Sequence, residues 1–87
     1  MSKGFDELLT FPTTFIFRII ASNDPSFQEQ YKQALLSVFP EIEHMEALPS
    51  KSGKFSRIHV TVRAENAQQI YAGYDVLKTC EGIRMVF

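Results

Sequence analysis

The alternation of side chains between residues 55 and 64 restricts this chain to folds built on a sheet with one buried face. Small and aliphatic residues take every second position, and aromatic, basic or polar residues take the others. The first series is Ser56, Ile58, Val60, Val62 and Ala64, and the second is Phe55, Arg57, His59, Thr61 and Arg63. Because successive side chains of a strand point to opposite faces, the pattern predicts a strand with one buried face and one basic face.

Two segments carry apolar residues at the period of a helix, and each begins with a capping signal. Asp24 followed by Pro25 suits the start of a helix, because proline lacks only an N–H group that would have no partner there. Asn66 and Gln69 resemble a capping box, and Pro40 ends the earlier segment. The apolar positions are Phe27, Tyr31, Ala34, Leu35 and Val38 in the first segment and Ala67, Ile70, Tyr71, Tyr74 and Leu77 in the second. The sequence therefore predicts two amphipathic helices.

Three further segments have the composition of strands. Residues 13–21 are rich in β-branched and aromatic residues and are apolar at both parities except at Arg18, which is typical of a central strand. Residues 41–48 alternate more weakly and carry charges, which favours an edge strand, and residues 83–87 form a short final strand. Residues 49–54 are a polar hairpin loop. The order along the chain is therefore strand, helix, strand, strand, helix, strand.

This order predicts an α+β fold, a ferredoxin-like (ACT-like) two-layer sandwich formed by residues 1–87 as a single domain. We expect an antiparallel sheet in the strand order 4-1-3-2, except that strands one and three in the middle are expected to run parallel to each other. Both helices cover one face of the sheet, and the other face has no helical cover. Residues 1–12 form an N-terminal extension, whose apolar spacing predicts a short helical turn.

Charge and composition exclude several classes of protein. Nine Lys and Arg residues against ten Asp and Glu residues give a formal net charge of -1, so the chain as a whole does not attract nucleic acid or a membrane surface. Its apolar runs are a few residues long, whereas a membrane-spanning helix needs about 20. The single cysteine, Cys80, has no internal disulfide partner, which is typical of a reducing compartment. We expect a cytoplasmic protein without a membrane partner.

The hairpin predicts which side chains face each other across the second and third strands. With the turn centred on residues 51–52, the pairs are Leu48 with Phe55, Glu46 with Arg57, and His44 with His59. Two adjacent imidazoles supply only part of a transition-metal site, which uses three or four ligands, and Glu46 is already paired with Arg57. We therefore expect two solvated histidines and neither a metal nor another cofactor.

The uncovered face of the sheet is where we expect a partner to bind. No acidic residue occurs between residues 47 and 64, whereas lysines and arginines surround the aromatic Phe55. The candidate contacts are Arg18, Lys54, Phe55, Arg57, His59 and Arg84. An RRM domain holds single-stranded RNA on such a surface, but two aromatic positions of its third strand are Arg57 and His59 in this chain. The sequence favours a protein partner or a small metabolite, with single-stranded nucleic acid as the alternative.

Apolar side chains are also expected on this uncovered face. They are Ile16, Ile20, Phe55 and Val86. Monomers seldom leave a large contiguous apolar patch in water, so the patch needs a cover. Either the N-terminal segment with Leu8, Leu9 and Phe11 folds across the sheet, or two chains pair through this face or an edge strand. We expect a monomer or a weak homodimer.

The sequence carries no recognisable catalytic motif. It contains no nucleophile elbow, no glycine-rich phosphate loop and no carboxylate pair in an apolar setting. Cys80 follows the second predicted helix, whose C-terminal dipole disfavours a thiolate. We therefore expect a protein that is not an enzyme.

Three stretches of the chain are typical of one family. They read Glu-Leu-Leu-Thr-Phe-Pro-Thr at residues 7–13, continuing through Phe15 into Phe-Arg-Ile-Ile at 17–20, then Pro-Ser-Lys-Ser-Gly-Lys-Phe at 49–55, and Arg-Met-Val-Phe at 84–87. Over essentially its whole length the chain resembles the YbeD-like family of small uncharacterised bacterial proteins, described as lipoate-regulatory. The resemblance implies no established activity.

The same resemblance implies a fold close to the ACT regulatory domains, which bind small molecules such as amino acids and often dimerise. ACT domains use glycine in the loop after the first strand, where a ligand approaches the backbone. This chain has Ala-Ser-Asn-Asp at residues 21–24 instead. We therefore place the expected function, a non-enzymatic regulatory or adaptor module, on the uncovered sheet face and on the loop at residues 49–55.

Overall fold

The computed structural model describes residues 9–87, along which strands and helices follow the predicted order. The strands are β1 (Thr13–Ser22), β2 (Ile42–Pro49), β3 (Phe55–Ala64) and β4 (Ile83–Val86), and the helices are α1 (Pro25–Leu36) and α2 (Ala67–Lys78). The strands form one sheet in the order β2-β3-β1-β4. This arrangement confirms the predicted ferredoxin-like fold and strand order.

The direction of the two central strands differs from the prediction. β1 pairs antiparallel with β3 and with β4, and β2 pairs antiparallel with β3. The crossover through α1 makes β2 parallel to β1 but leaves a gap of one strand between them. The hairpin then reverses the chain, so β3 enters that gap antiparallel to both neighbours. The prediction of parallel central strands is therefore wrong.

Both predicted caps start their helices. The Asp24 side chain accepts a hydrogen bond from the backbone N–H of Ser26 at 2.9 Å, and Asn66 accepts one from the N–H of Gln69 at 3.0 Å. The Gln69 side chain accepts in turn from the N–H of Glu65 at 2.6 Å. These bonds satisfy N–H groups that have no partner within the helix itself.

The core lies between the sheet and the two helices. The predicted inward series of β3 is buried in full, together with Phe17 and Ile19 of β1 and with Leu35, Ile70 and Leu77 of the helices. The Phe17 ring meets Phe15, Tyr74 and Phe39 edge-on, with ring centroids 5.0, 5.1 and 5.9 Å away. Edge-to-face contacts of this kind add to the free energy gained from burying the rings.

One position of the second helix departs from the prediction. Tyr71 is 46% exposed, although its apolar character suggested the buried face. Each residue turns a helix by about 100°, so Tyr71 falls outside the stripe that Ile70 and Leu77 define. Gly73 is buried instead and lies against the ring of Phe17.

The predicted N-terminal cover of the sheet is not observed over the described residues. Leu9 and Phe11 pack against the buried cluster between sheet and helices. Residues 1–8 lie outside the described residues, and residues 9–12 do not form the predicted helical turn. The described part of the extension therefore contributes to the core side of the sheet.

Candidate binding face

The sheet face opposite the helices, here named the open face, presents two complete rows of side chains. Read from β2 to β4, the rows are Leu48–Arg57–Ile20–Met85 and Glu46–His59–Arg18–Phe87. Phe87 follows β4 directly and exchanges two backbone hydrogen bonds with Arg18, at 3.0 and 2.7 Å. In these rows Arg18 and Arg57 are diagonal neighbours, with Ile20 and His59 on the other diagonal.

The hairpin register differs by two residues from the predicted one. Glu46 lies opposite His59, Leu48 opposite Arg57, and His44 opposite Thr61. The loop closes one residue later than expected because the Ser50 N–H donates to the Phe55 carbonyl at 2.7 Å. Gly53 takes the left-handed position of this loop, with φ of 75°. The predicted pairs of Leu48 with Phe55, Glu46 with Arg57 and His44 with His59 are therefore wrong.

The corrected register places one carboxylate between the two imidazoles. Glu46 Oε2 lies 3.9 Å from His44 Nε2, and its Oε1 lies 3.7 Å from His59 Nδ1. Among residues 9–87, no three histidine, cysteine, aspartate or glutamate side chains are grouped so that they could hold a metal ion. Sequence reasoning missed this contact because it depends on where the hairpin turns.

Three of the six predicted site residues line one shallow pocket on the open face. The pocket has a volume of about 450 Å³ and is lined by Arg18, Ile19, Ile20, Arg57, His59 and Phe87. Its walls combine two guanidinium groups with aliphatic and aromatic surface. This volume lies within the range of small-molecule sites, roughly 300–1,000 Å³.

Two more predicted residues meet at the neighbouring end of the face. Arg84 lies with its guanidinium carbon 5.6 Å from the centre of the Phe55 ring, within the distance of a cation–π contact. The register of β4 makes Arg84 a bulge, because Met85 pairs with Ile20 and Ile83 with Ala21. A bulge redirects a side chain, and here it accompanies the approach of Arg84 to Phe55.

The sixth predicted residue, Lys54, stands apart from the pocket. It is exposed in the hairpin loop, where its carbonyl accepts a hydrogen bond from the Asn23 N–H at 3.1 Å. The Asn23 side chain also donates to the Gly53 carbonyl at 3.0 Å. The loop after β1, where ACT domains use glycine, therefore holds the hairpin loop in place.

The pocket arginines have no carboxylate partner in the described part of the chain. The contacts there between basic and acidic side chains are those of Glu46 with the two histidines and of Arg63 with Glu65, whose Nε and Oε1 atoms are 3.7 Å apart. Arg18 and Arg57 are exposed and form none. Their charges are therefore available to a ligand.

Apolar side chains extend across the open face beyond the pocket. Met85 is 52% exposed and Phe87 is 53% exposed, and Ile16, Leu48 and Phe55 are also exposed. The prediction that Val86 joins this patch is wrong, because Val86 packs against the buried cluster. The bulge at Arg84 shifts the alternation of β4, so Met85 and Phe87 face outward instead.

Cys80, the single cysteine of the chain, is a candidate nucleophile. The Cys80 thiol donates to the Val76 carbonyl at 3.5 Å, and burial raises the pKa of this thiol. A thiol with a raised pKa is a weak nucleophile at neutral pH.

Over the described part of the chain, no helix combines the length and the apolar character that crossing a membrane requires.

Sequence comparison places the chain close to one family. The family described as "Protein of unknown function (DUF493)" matches residues 6–87. A UPF0250 protein of Idiomarina loihiensis is 33% identical over 82 residues, which cover 94% of this chain and 93% of that protein. A UPF0250 protein of Erwinia tasmaniensis is 28% identical over 86 residues, 99% of each chain. The resemblance to a small bacterial family is confirmed, and the link to lipoate stays a prediction.

Two solved structures share the fold. The solution structure of protein HP0495 from H. pylori has a TM-score of 0.75 at 15% identity and covers 91% of this chain and 85% of that one. The ACT domain from GTP pyrophosphokinase of Chlorobium tepidum has a TM-score of 0.65 at 17% identity, covering 86% and 97%. At these identities the likeness shows the fold alone, and it confirms the predicted ferredoxin-like, ACT-like fold.

Proposed function

This chain belongs to the DUF493 family, and on that premise we propose that it is a non-enzymatic regulatory or adaptor module of the cytoplasm. Its open face binds a protein partner or a small metabolite. The observation that carries the proposal is the pair Arg18 and Arg57, exposed and without a carboxylate partner within residues 9–87, beside exposed apolar side chains. Arginine and aromatic residues together are enriched where proteins bind partners.

The absence of enzymatic activity is part of the same proposal. The sequence carries no recognisable catalytic motif. Burial raises the pKa of the Cys80 thiol, which keeps the thiol protonated at neutral pH. ACT domains, whose fold this chain shares, act as regulatory modules that bind small molecules, which supports a binding role. We propose that the protein works as a monomer or a weak homodimer.

Affinity capture tests this proposal. The immobilised protein is incubated with cytosol from its own organism, and bound proteins and extracted small molecules are compared between the wild type and the double variant Arg18→Gln/Arg57→Gln. Arg63→Gln is the matched control, because Arg63 belongs to the same outward series of β3 but is paired with Glu65. We expect the double variant to lose what the wild type and the control retain. Identical captured sets for all three proteins would contradict the proposal.

The salt dependence of oligonucleotide binding distinguishes the nucleic-acid alternative from the proposed function. Neutralising several phosphates makes affinity fall steeply with salt, by as much as about 10³-fold for six contacts between 50 and 200 mM. We expect the protein to bind single-stranded oligonucleotides weakly or not at all at low salt. Tight binding at low salt that disappears at 200 mM, and that needs Arg18 and Arg57, would favour the nucleic-acid function instead.

A further inference from the structure

We propose that the pocket on the open face binds a small organic carboxylate with an apolar body. The carboxylate lies between Arg18 and Arg57, and the apolar body lies against Ile20 and Phe87. This inference names the ligand of the face described above, and it therefore rests on the proposed function.

The register brings the two guanidinium groups to one anion. Arg18 lies opposite His59 and Arg57 lies opposite Ile20, so the four side chains occupy the corners of a square with the arginines on one diagonal. Diagonal neighbours on adjacent antiparallel strands are about 7–8 Å apart at the backbone, within reach of long side chains. One carboxylate above the centre of the square is accessible to both arginines.

Charge complementarity selects an anion for this place. A guanidinium presents two parallel N–H donors that match the two oxygens of a carboxylate. Neither arginine makes such a bond to residues 9–87. The nearest acid in the row, Glu46, lies beyond His59 on the edge strand and contacts the two imidazoles. The described lining of the pocket therefore carries two guanidinium groups and no acidic side chain, which favours an anion at the centre of the square.

The apolar part of the lining selects an organic anion over an inorganic one. Ile20 forms the part of the lining between the arginines, and Phe87 bounds the side nearest β4, where it pairs with Arg18. A fully hydrated anion such as phosphate gains nothing from these surfaces, whereas an apolar body leaves water when it contacts them. A flat aromatic body also forms a cation–π contact with a guanidinium, as Phe55 does with Arg84 on the same face.

The pocket fits a small ligand better than it fits a phosphate chain. Its volume is about 450 Å³, and Phe87 and His59 flank Arg18 in its lining. A nucleic acid needs a continuous basic track, and the row that contains Arg18 ends in Phe87 and Glu46. A nucleic acid or a protein on this face is tested by the salt dependence and the affinity capture described above.

A titration followed by nuclear magnetic resonance tests the inference on the full chain. The ¹⁵N-labelled protein is titrated with phenylacetate, with its neutral analogue phenylacetamide, with acetate and with inorganic phosphate. We expect saturable shifts from phenylacetate at the amides of Arg18, Ile20, Arg57, His59 and Phe87. Phenylacetamide and acetate are expected to bind at least about tenfold more weakly, because the first lacks the negative charge and the second lacks the apolar body.

Variants connect the shifts to the two arginines. Arg57→Gln and Arg18→Gln are expected to weaken phenylacetate binding about tenfold or more, and Arg63→Gln is expected to leave it unchanged. All three positions are exposed, and the spectra themselves report whether each variant is folded. Equal binding of phenylacetate and phenylacetamide, equal binding of phosphate, or equal weakening by Arg63→Gln would each overturn the inference.

The two proposals fail in different ways. If phenylacetate gives no saturable shift, the small-carboxylate inference is overturned. If the captured proteins still depend on Arg18 and Arg57, the proposed function stands with a protein partner. If the captured set is also independent of both arginines, the proposed function itself is overturned.

Discussion

Gly73 is a single residue at which core packing requires glycine, although helix propensity favours alanine. Glycine in a helix costs about 1 kcal/mol relative to alanine, so the sequence marks this position as one of close packing. An added Cβ would overlap the ring of Phe17, whose Cε1 and Cε2 atoms would be 3.1 Å from it. The ring is fully buried and is held by three aromatic neighbours, so it has no free space to enter.

We expect Gly73→Ala to lower the free energy of unfolding by about 1–3 kcal/mol, because overpacking a buried ring outweighs the gain in helix propensity. Urea unfolding followed by circular dichroism measures the change. Gln68→Ala, at an exposed position of the same helix, is the control and should leave stability within about 0.5 kcal/mol. A Gly73→Ala protein that is more stable than the wild type would refute the close packing.

Tyr31 is the buried hydroxyl that ties the first helix to the turn before β4. Its O–H donates to the Glu81 carbonyl at 2.6 Å, and its side chain is fully buried. Burial, with smaller contributions from Cys80, Asp24 and Glu81, raises the pKa of Tyr31 from 10.0 to about 12. The folded protein thus keeps this proton at pH values where the unfolded chain releases it.

The sign of the pH effect follows from that difference. The protonated hydroxyl stabilises the fold fully below pH 10, and this contribution is lost as the pH rises from 10 to about 12. In Tyr31→Phe the contribution is absent, so we expect its deficit in unfolding free energy relative to the wild type to shrink across that window. Urea unfolding of both proteins at several alkaline pH values measures the deficit. A deficit that is constant with pH would contradict the raised pKa.

At the scale of elements, the last strand shows where sequence patterns stop predicting structure. Strict alternation over residues 83–87 places Arg84 and Val86 on one face, whereas the bulge turns Val86 toward the core and Met85 and Phe87 outward. A bulge depends on the pairing of two strands, so the periodicity of one strand does not contain it. The hairpin register depends likewise on the position taken by Gly53 in the loop.

The bulge also explains the contact between Arg84 and Phe55, which crosses from β4 to β3. We expect a coupling energy of about 0.5–1 kcal/mol between these two side chains, the range for an exposed cation–π pair. A double-mutant cycle with Arg84→Gln, Phe55→Leu and the combined variant measures it by urea unfolding. Strictly additive single effects would show that the guanidinium does not rest on the ring in solution.

At the scale of the whole molecule, the features that the sequence predicts are those that depend on local periodicity. The inward series from Ser56 to Ala64 follows from spacing, the two caps follow from the residue types at the helix starts, and the strand order follows from the order of the elements along the chain. The open face follows from the same argument, because both helices cross over on one side of the sheet. Arg18, Arg57 and His59 were predicted as site residues and line one pocket.

The features that the sequence does not predict arise between elements. Phe87 was not among the predicted contacts, because only its pairing with Arg18 places it at the pocket. Glu46 was assigned to Arg57 instead of His59, because the pairing depends on where the hairpin turn closes. The hydrogen bond between Ser50 and Phe55 closes that turn. Alternation within the last strand contains a signal for Phe87. If Met85 is taken as an outward residue, Phe87 lies two residues later and faces outward as well.

The central measurement is whether the arginines of the open face are accessible in the isolated protein and covered when a partner is present. Phenylglyoxal labelling, read by peptide mass spectrometry, gives the modification rates of Arg18, Arg57 and the control Arg63 with and without cytosol from the same organism. We predict that Arg18 and Arg57 react readily in the isolated protein and are protected in cytosol, while Arg63 changes little. Unreactive Arg18 and Arg57 in the isolated protein, or unchanged rates in cytosol, would contradict it.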